Sequence, residues 1–251
     1  MKMENETLRV STESVSICMP VRNEAEVIEK VVVEWTSIAS RVSAESKVIL
    51  EDGGSSDGTV EILQRLLRVH SNLEVSFRLE ADGFGNSAKR LLRMPTTDWV
   101  FFTDSDGQYV PSEFWLLWER RSDLDFVRGI KLGRQDPLLR RITSLAWNKS
   151  VNFLFELPVH DVNAAFFLIR KTFLDRIIET IRILPTMVIS EMLIRAVLAN
   201  ANFSRDLYVL HRAREFGASR ATPFFSLFKV GFLNVIGLFR MKADYRTNFH
   251  E

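Results

Sequence analysis

The sequence predicts an α/β fold built on a mostly parallel sheet. Short apolar runs alternate with segments whose apolar residues recur every three or four positions, and short polar loops separate them. This alternation is typical of strand–helix–strand units, in which helices join consecutive parallel strands. The chain has 251 residues, of which 46% are hydrophobic. That length and composition suffice for one full-sized domain with a buried core.

Five strands and four helices are predicted in the first half of the chain. The strands are short apolar runs bounded by turn residues, such as Val15–Met19, which Pro20 ends. The helices carry apolar side chains at helical spacing, as at Val27, Val31 and Trp35. The predicted strands are Val15–Met19, Lys47–Leu50, Leu73–Leu79, Trp99–Thr103 and Asp125–Ile130, and the predicted helices are Ala25–Ala39, Val60–Val69, Ser87–Arg93 and Ser112–Arg121.

The second half is less regular. Helices are predicted at Pro137–Phe155 and Thr186–Ala199, and strands at Asn163–Ile169 and Leu207–Leu210.

An amphipathic helix is predicted at Phe224–Arg240, where polar residues form one narrow stripe and Phe and Leu fill the rest. Its apolar length is below the roughly 20 residues that span a bilayer. Two placements therefore stay open, an in-plane helix at a membrane surface and a helix packed on protein. We expect one domain over residues 1–220 and an amphipathic helical tail over residues 221–251.

Charge and cysteine content exclude several classes of protein. Lys and Arg number 33 against 32 for Asp and Glu, and this balance does not call for a nucleic-acid partner. Cys18 is the one cysteine, so no internal disulfide forms and we expect a reducing, cytoplasmic compartment. The N-terminus lacks the apolar core of a secretory signal. The oligomeric state stays open, a homo-oligomer included.

Two aspartates with one serine between them follow the predicted strand Trp99–Thr103. Two carboxylates as close as Asp104 and Asp106 can converge on one cation, and hard oxygen ligands suit Mg²⁺ or Mn²⁺. Asp, Ser and Gly also form turns, so the tripeptide alone leaves a purely structural turn open. An EF-hand calcium loop is excluded because Tyr109 and Trp115 occupy the positions that need Gly and Glu.

A second acidic loop, EDGGSSDGT, follows the predicted strand Lys47–Leu50. Ligands of parallel sheets bind outside the carboxyl ends of the strands. We therefore expect Asp52 to share one crevice with Asp104 and Asp106. Glycines such as Gly53 let the backbone of this loop come close to a ligand.

A glycine motif, GFGNSA, runs from Gly83 to Ala88 between a predicted strand and a predicted helix. It matches the dinucleotide-binding fingerprint G-x-G-x-x-A. That fingerprint belongs to the first strand–helix turn of a dinucleotide-binding fold, whereas GFGNSA follows the third predicted strand. A dinucleotide-dependent oxidoreductase is therefore the less favoured interpretation.

Four motifs in this order resemble the family 2 glycosyltransferases with a GT-A fold, a Rossmann-like α/β domain. They are SICMPVRNEAEVI, EDGGSSDGTVEIL, DGFGNSAKRLL and FFTDSDGQYVPSEF. The chain looks closest to the polyprenyl-phosphate branch, which includes dolichyl-phosphate mannose synthase. The resemblance covers roughly residues 15–220 and implies that residues 1–220 are the GT-A domain.

The resemblance implies a donor site built from the loops after the strands. Asp52 would hold the base or ribose, and Gly53 stands where the family usually has a second acid. Asp104 and Asp106 would bind the metal on the diphosphate, with Gln108 as a further ligand. The donor-binding residues implied by the resemblance are Pro20, Arg22, Glu24, Asp52, Gly83 and Asp104.

Downstream segments resemble the phosphate-binding and acceptor elements of the same branch. Lys131 stands at the basic position of its G-S-R segment, and Arg214 and Arg220 match a phosphate-binding element. Asp161 and Glu191 match acidic positions near the transferred sugar or the acceptor. The catalytic residues implied by the resemblance are Asp106, Lys131, Asp161 and Glu191.

The resemblance implies an inverting, metal-dependent hexosyltransferase that uses a UDP- or GDP-linked sugar. The expected acceptor is polyprenyl phosphate, and residues 222–240 would then contact the inner face of the cell membrane. A saccharide hydroxyl in polysaccharide or glycolipid synthesis is the alternative acceptor, and it needs a base such as Asp161 or Glu191. A nucleotide-sugar binding protein with little turnover is a further alternative, because Gly53 replaces an acid.

Overall fold

The structure is a computed structural model that describes residues 12–132, 138–155, 157, 161–184, 186–213, 231 and 233–243. The strands in these ranges are β1 (Val15–Val21), β2 (Lys47–Asp52), β3 (Leu73–Phe77), β4 (Trp99–Thr103), β5 (Phe126–Leu132), β6 (Phe166–Arg170) and β7 (Leu207–Leu210). They form a seven-stranded sheet in the order β3-β2-β1-β4-β6-β5-β7.

Most neighbouring strands of this sheet are parallel. β1 pairs in parallel with β2 on one side and with β4 on the other. β2 with β3 and β5 with β7 are also parallel, whereas β6 runs antiparallel to β4 and β5. The predicted α/β fold with a mostly parallel sheet is confirmed. The strand order switches direction at β1 and β4, and a crevice at their carboxyl ends is the usual ligand site of such sheets.

The helices cover both faces of the sheet. They are α1 (Ile28–Val42), α2 (Thr59–Leu66), α3 (Phe84–Arg93), α4 (Phe114–Glu119), α5 (Leu138–Phe155), α6 (Lys171–Ile177) and α7 (Val188–Leu198), and residues 233–243 are also helical. α3 begins at Phe84, before the predicted start at Ser87. The predicted start is late because the glycines of GFGNSA indicate a loop. α6 was not predicted, because Lys171 follows β6 directly without a turn residue.

Burial on both faces explains the continuous apolar runs of the strands. In β1, Ile17 packs in the same core cluster as Trp35 of α1, whereas Cys18 packs in the cluster of α3 and α7. Phe101 of β4 lies between Trp35 and Phe166, with ring centroids 5.3 and 4.8 Å away. Cys18 is fully buried, and this burial raises the pKa of its thiol. It therefore serves as a small apolar side chain.

The helix at residues 233–243 packs on the domain through one face. Leu238 and Met241 are fully buried in a third core cluster, together with side chains of α5 and α7. Asn234, a polar residue of the predicted amphipathic helix, is 3% exposed and accepts a hydrogen bond from the Thr186 hydroxyl at 3.0 Å. Leu233 is 56% exposed on the outer face. The predicted helix is thus packed on protein along its inner face, while its first part and the expected boundary at residue 220 lie outside the described residues.

Within the described ranges, no helix combines the length and hydropathy that crossing a bilayer requires.

Two leucines of this helix provide a matched test of its packing. We expect Leu238→Ala to lower the free energy of unfolding by about 2–5 kcal/mol, because it empties a fully buried position. Leu233→Ala removes the same atoms from an exposed position and is expected to change it by no more than about 0.5 kcal/mol. Urea unfolding of both variants measures the difference. Equal effects would show that this helix does not pack on the domain in solution.

Candidate active site

A cavity of about 390 Å³ lies at the carboxyl ends of β1, β2 and β4, and we call it the switch-point cavity. Loops after these strands and the start of α3 form its walls. Its lining residues are Pro20, Val21, Arg22, Glu24, Gly53, Ala81, Asp82, Gly83, Phe84, Ser87, Asp104, Ser105 and Asp106. The predicted residues among them are Pro20, Arg22, Glu24, Gly83, Asp104 and Asp106, so the structure brings most of the expected donor site together.

The loop after β1 is held in place by polar groups of the loop after β2. Asn23 has a left-handed backbone (φ 50°), and its N–H donates to the Ser55 hydroxyl at 2.8 Å. The Glu24 N–H donates to the Thr59 hydroxyl at 2.9 Å, and the Ala25 N–H donates to Asp57 at 3.1 Å. These bonds fix the backbone between Arg22 and Glu24, which line the cavity.

Asp57 supports this loop contact as a charged acceptor. Its partial burial raises the pKa, but hydrogen bonds from the Thr59 hydroxyl and from the N–H groups of Ala25 and Thr59 together lower it below its ordinary value. Asp57 is therefore ionised near neutral pH, and its carboxylate accepts hydrogen bonds from these donors.

Asp52 shapes its own loop and does not line the switch-point cavity. Its side chain is fully buried, and one carboxylate oxygen accepts the N–H groups of Gly54 at 3.1 Å and Ser55 at 3.0 Å. The other oxygen accepts the Ser55 hydroxyl. Gly53 takes the cavity-facing position, and its N–H donates to the carbonyl of Val21 at 2.8 Å. The structure thus places Asp52 behind the surface that a base or ribose would reach.

Asp104 and Asp106 both line the cavity immediately after β4. The hydroxyl of Ser105, between them, donates to the carbonyl of Pro20 at 2.8 Å and so ties this loop to β1. The N–H of Gln108 donates to a carboxylate oxygen of Asp106 at 3.1 Å, and Gly107 has a positive φ of 73°. The segment is therefore a turn, as its composition also predicts, and this turn presents both carboxylates to the cavity.

The donor atoms at this turn fit a hard divalent cation. The described ranges contain no group of three or more His, Cys, Asp or Glu side chains suited to holding a metal. Two carboxylates nevertheless match the mode in which Mg²⁺ binds one or two protein carboxylates and completes its shell with waters and substrate phosphates. Asp104 and Asp106 are the residues that would hold Mg²⁺ or Mn²⁺.

Gln108, predicted as a further metal ligand, turns toward the segment after β7. Its side-chain amide donates to the carbonyl of Arg212 at 3.0 Å, and the Arg212 N–H donates to the carbonyl of Gln108 at 2.8 Å. Gln108 is half-buried and is not among the residues that line the cavity. It fastens the acidic turn to the sheet edge formed by β7.

Lys131 lies beside the cavity and not in its lining. It occupies the end of β5, and its ammonium nitrogen is 5.3 Å from the ring centroid of Tyr109. Tyr109 also forms a β-bridge with His211, and their rings meet edge to face at 4.8 Å. Because Tyr109 follows the acidic turn, Lys131 is a cation close to the side of the cavity that Asp104 and Asp106 line.

Asp161 is nearly buried in a polar cluster between α5 and β5. Its carboxylate accepts the Asn163 N–H at 3.2 Å, and its carbonyl accepts the guanidinium of Arg128. Arg128 also pairs with Asp206 at 3.1 Å. Burial lowers the pKa of Arg128, although Asp206 and Asp161 oppose this effect. The described lining of the switch-point cavity does not include Asp161.

Glu191, predicted near the acceptor, is fully buried in α7. Its carboxylate accepts the N–H groups of Arg182 and Ile183 at 2.9 Å and of Leu184 at 2.6 Å. Arg195 lies 3.6 Å away on the next turn. These bonds give Glu191 a structural task, which is to hold the chain before α7, and the described cavity lining does not contain it.

Two predicted phosphate-binding residues, Arg214 and Arg220, lie outside the described residues.

An ion-pair network that the sequence did not predict supports one wall of the cavity. Arg90 of α3 donates to the buried carboxylate of Glu51 at 2.9 Å and to Asp82 at 2.9 Å. Glu51 is 1% exposed, whereas Asp82 lines the cavity. The hydrogen bond from Arg90 is the main cause that lowers the pKa of Asp82. The GFGNSA motif could have pointed to Asp82 as a residue near the site, because Asp82 directly precedes its first glycine.

The comparison with family models identifies the class of protein. The model of "Glycosyl transferase family 2" matches residues 16–178, from β1 to the end of α6. This match covers more than half of the chain, and the chain therefore belongs to glycosyl transferase family 2. The predicted family and enzyme class are confirmed.

Curated relatives are sugar transferases that act with undecaprenyl phosphate. Undecaprenyl-phosphate 4-deoxy-4-formamido-L-arabinose transferase of Pseudomonas fluorescens (strain Pf0-1) is 26% identical over 217 residues, which cover 83% of this chain and 60% of the relative. The enzyme of that name from Aeromonas hydrophila is 28% identical over 164 residues, covering 64% and 50%. The chain thus spans between half and three fifths of these relatives. Its predicted likeness to the polyprenyl-phosphate branch is confirmed.

Solved structures with the same fold support the architecture. Glucosyl-3-phosphoglycerate synthase from Mycobacterium tuberculosis, in complex with Mn²⁺, UDP and glucosyl-3-phosphoglycerate, aligns with a TM-score of 0.67 at 19% identity. The alignment covers 92% of this chain and 80% of that one. Mannosyl-3-phosphoglycerate synthase from Rubrobacter xylanophilus aligns with a TM-score of 0.62 at 15% identity, covering 92% and 74%. At these identities the likeness establishes the fold alone.

The Arg90 network can be tested against a second arginine of the same helix. We expect Arg90→Met to lower the free energy of unfolding by about 1–3 kcal/mol, because it leaves the Glu51 carboxylate buried without its partner. Arg93→Met removes a pair with Glu179, which is 74% exposed, and should cost no more than about 1 kcal/mol. Urea unfolding at neutral pH compares the two variants. A larger loss for Arg93→Met would contradict the assigned network.

Proposed function

We propose that the chain is an inverting glycosyltransferase that moves a sugar from a UDP- or GDP-linked donor to polyprenyl phosphate. The observation that carries the proposal is the meeting of Asp104 and Asp106 with Arg22 and Glu24 in one cavity at the strand switch point. The undecaprenyl-phosphate transferases among its relatives support the acceptor class. The Mn²⁺ and UDP bound to a protein of the same fold support the donor class.

The loops of the cavity divide the donor between them in this proposal. The rigid segment from Pro20 to Glu24 and the backbone at Gly53 bind the nucleoside. Asp104 and Asp106 bind the diphosphate through Mg²⁺ or Mn²⁺, which supplies Lewis-acid stabilisation of the leaving group when bound. Two carboxylates leave room in the coordination shell for phosphate oxygens.

Basic side chains near the acidic turn offset the charges of two phosphate-bearing substrates. Lys131, beside Tyr109, is one such cation, and we assign Arg214 and Arg220 to the same task. Charge-assisted hydrogen bonds to phosphate are among the stronger polar contacts that proteins form. Attack from the face opposite the leaving diphosphate then inverts the anomeric carbon.

The two predicted bases, Asp161 and Glu191, already accept hydrogen bonds from backbone N–H groups, and this favours a phosphate acceptor. Glu191 is saturated by backbone N–H groups, and the carboxylate of Asp161 accepts the N–H of Asn163. A phosphate monoester is already ionised near pH 7 and attacks without a general base, whereas a sugar hydroxyl needs one. A polyprenyl-phosphate product has an acid-labile sugar–phosphate linkage, and a saccharide acceptor would instead give a new acid-stable glycosidic bond. Product analysis distinguishes these two acceptors.

A lipid acceptor implies work at a membrane surface, and we place the chain at the cytoplasmic face. The outer side of residues 233–243 exposes Leu233 and Phe239, and α5 exposes Leu145 and Phe153. Apolar side chains on an in-plane helix, with flanking cations such as Arg240, fit the boundary between headgroups and acyl chains. We therefore keep the proposal that residues 222–240 contact the membrane, and we assign this contact to the exposed apolar side chains named above.

The metal assignment predicts a specific loss in donor binding. We expect Asp106→Asn to weaken UDP or GDP binding in the presence of Mn²⁺ by at least about tenfold, or 1.4 kcal/mol. The amide keeps the shape of the side chain and can still accept the Gln108 N–H, but it lacks the charge that holds the cation. Isothermal titration calorimetry with and without Mn²⁺ measures the change.

The matched control is Asp123→Asn, an exposed aspartate in a turn away from the cavity, with a left-handed φ of 62° that asparagine also tolerates. It should bind the nucleotide as the unmodified chain does. Metal-dependent binding that survives Asp106→Asn would remove the acidic pair from the donor site. Donor binding without turnover on any acceptor would favour a binding protein.

The membrane assignment predicts that flotation depends on the outer helix face. We expect the chain to float with vesicles that contain anionic lipid, and the double variant Leu233→Ser and Phe239→Ser to float less, because both side chains are more than half exposed. The control is Val69→Ser, a 71% exposed apolar residue at the end of the α2 region. If the unmodified chain stays at the bottom of the gradient, this face does not bind membranes.

A further inference from the structure

The N-terminus of α3 opens onto the switch-point cavity without a side-chain cap. Gly83 stands at the N-cap with φ 94° and provides no side-chain cap. The side-chain amide of Asn86 donates to the Asp82 carbonyl at 2.9 Å and so does not accept from the first N–H groups of the helix. A Cβ placed on Gly83 would meet nothing within 4 Å, so the backbone faces open space. The first helical hydrogen bond joins the Ser87 N–H to the Gly83 carbonyl. The N–H groups of Phe84, Gly85 and Asn86 therefore have no acceptor inside the helix.

The positive end of the α3 dipole is not offset by a carboxylate of its own first turn. The first turn of α3 contains no acidic residue. Asp82 precedes Gly83, but both of its carboxylate oxygens accept hydrogen bonds from Arg90, at 2.5 and 2.9 Å. A helix end in this state attracts negatively charged ligands.

Ser87 supplies a second and independent indication of a ligand. It borders the cavity on the first turn of α3 and is 5% exposed. Its hydroxyl has no hydrogen-bond partner among the described residues. A buried hydroxyl in this state costs roughly 1–3 kcal/mol, and a ligand oxygen that accepts its proton offsets that cost.

The position of this helix end relative to the acidic pair points to the phosphate part of a ligand. The ring of Phe84 meets the ring of Phe102 edge to face at 6.3 Å, and Phe102 lies two residues before Asp104. The start of α3 and the turn with Asp104 and Asp106 thus form neighbouring walls of one cavity. A diphosphate bound at the acidic pair through a cation would turn its remaining oxygens toward hydrogen-bond donors, and α3 offers donors without added charge.

We propose that Ser87 and the first turn of α3 form a subsite for a phosphate oxygen of the nucleoside diphosphate. The Ser87 hydroxyl and the free N–H groups after Gly83 donate to that oxygen. The inference rests on the proposed use of a nucleoside diphosphate donor and adds a binding residue to it.

The test compares ligands with and without phosphate on the full chain. We expect Ser87→Ala to weaken binding of UDP, or of GDP if that is the nucleotide bound, by roughly tenfold or more, the size of one hydrogen bond to a charged group. Uridine or guanosine should bind both proteins equally. Calorimetry measures the diphosphates and ligand-observed NMR the nucleosides, all with Mn²⁺ present. Ser150→Ala is the control, because the Ser150 hydroxyl donates within α5, to the Ala146 carbonyl at 2.9 Å, and Ser150 does not line the cavity.

The stability of the ligand-free variant separates a lost contact from a damaged fold. Ser87→Ala removes an unpartnered buried hydroxyl and adds the residue with the highest helix propensity, so its melting temperature should stay equal or rise. Unchanged UDP and GDP affinity in this variant would overturn the subsite and leave the proposed function standing. An equal loss for diphosphate and nucleoside would also overturn it, since the contact would then be to ribose or base. Failure of the unmodified chain to bind any nucleotide would overturn the proposed function itself.

Discussion

The parallel pairing of β1 with β4 is the constraint on which the candidate site depends. It brings the carboxyl ends of two strands that are far apart in sequence to one point, where β2 approaches from the other side of β1. The hydroxyl of Ser105 then joins the two loops by donating to the carbonyl of Pro20. Without this pairing, Asp104 and Asp106 would have no cavity to line. Trp35, Phe101 and Phe166 keep the pairing in place, because their rings pack against one another on one face of the sheet.

Acidic residues serve two different purposes around this cavity. Glu51 and Asp52 are buried behind its surface, where Arg90 neutralises the first and loop N–H groups bind the second. These buried acids define the backbone path of the walls. Asp104 and Asp106 project into the cavity from the end of β4. Within the length of two loops, the site thus combines buried carboxylates that hold its walls with carboxylates that line its cavity.

The sequence predicts the sheet because the apolar residues of its strands and helices have a regular spacing. It also predicts the position of the acidic pair, because Asp104 and Asp106 directly follow an apolar strand. It was not sufficient for Asp52 and Glu191, which are saturated by N–H groups of nearby loops. A sequence shows where a carboxylate stands but not which backbone donors fold around it. The place of GFGNSA after β3 argues against a dinucleotide site, whereas the family resemblance implies that Gly83 binds the donor. In the structure its first residues line the cavity beside the acidic turn.

The central claim is that Asp104 and Asp106 hold a divalent cation on the diphosphate of a sugar donor. A crystal structure of the chain grown with Mn²⁺ and UDP or GDP tests it most directly, since anomalous scattering locates manganese independently of the protein atoms. We predict one manganese ion in direct contact with a carboxylate oxygen of the acidic pair and with the diphosphate, inside the switch-point cavity. A nucleotide bound elsewhere, or an acidic pair that turns away from the metal and the nucleotide, would contradict it.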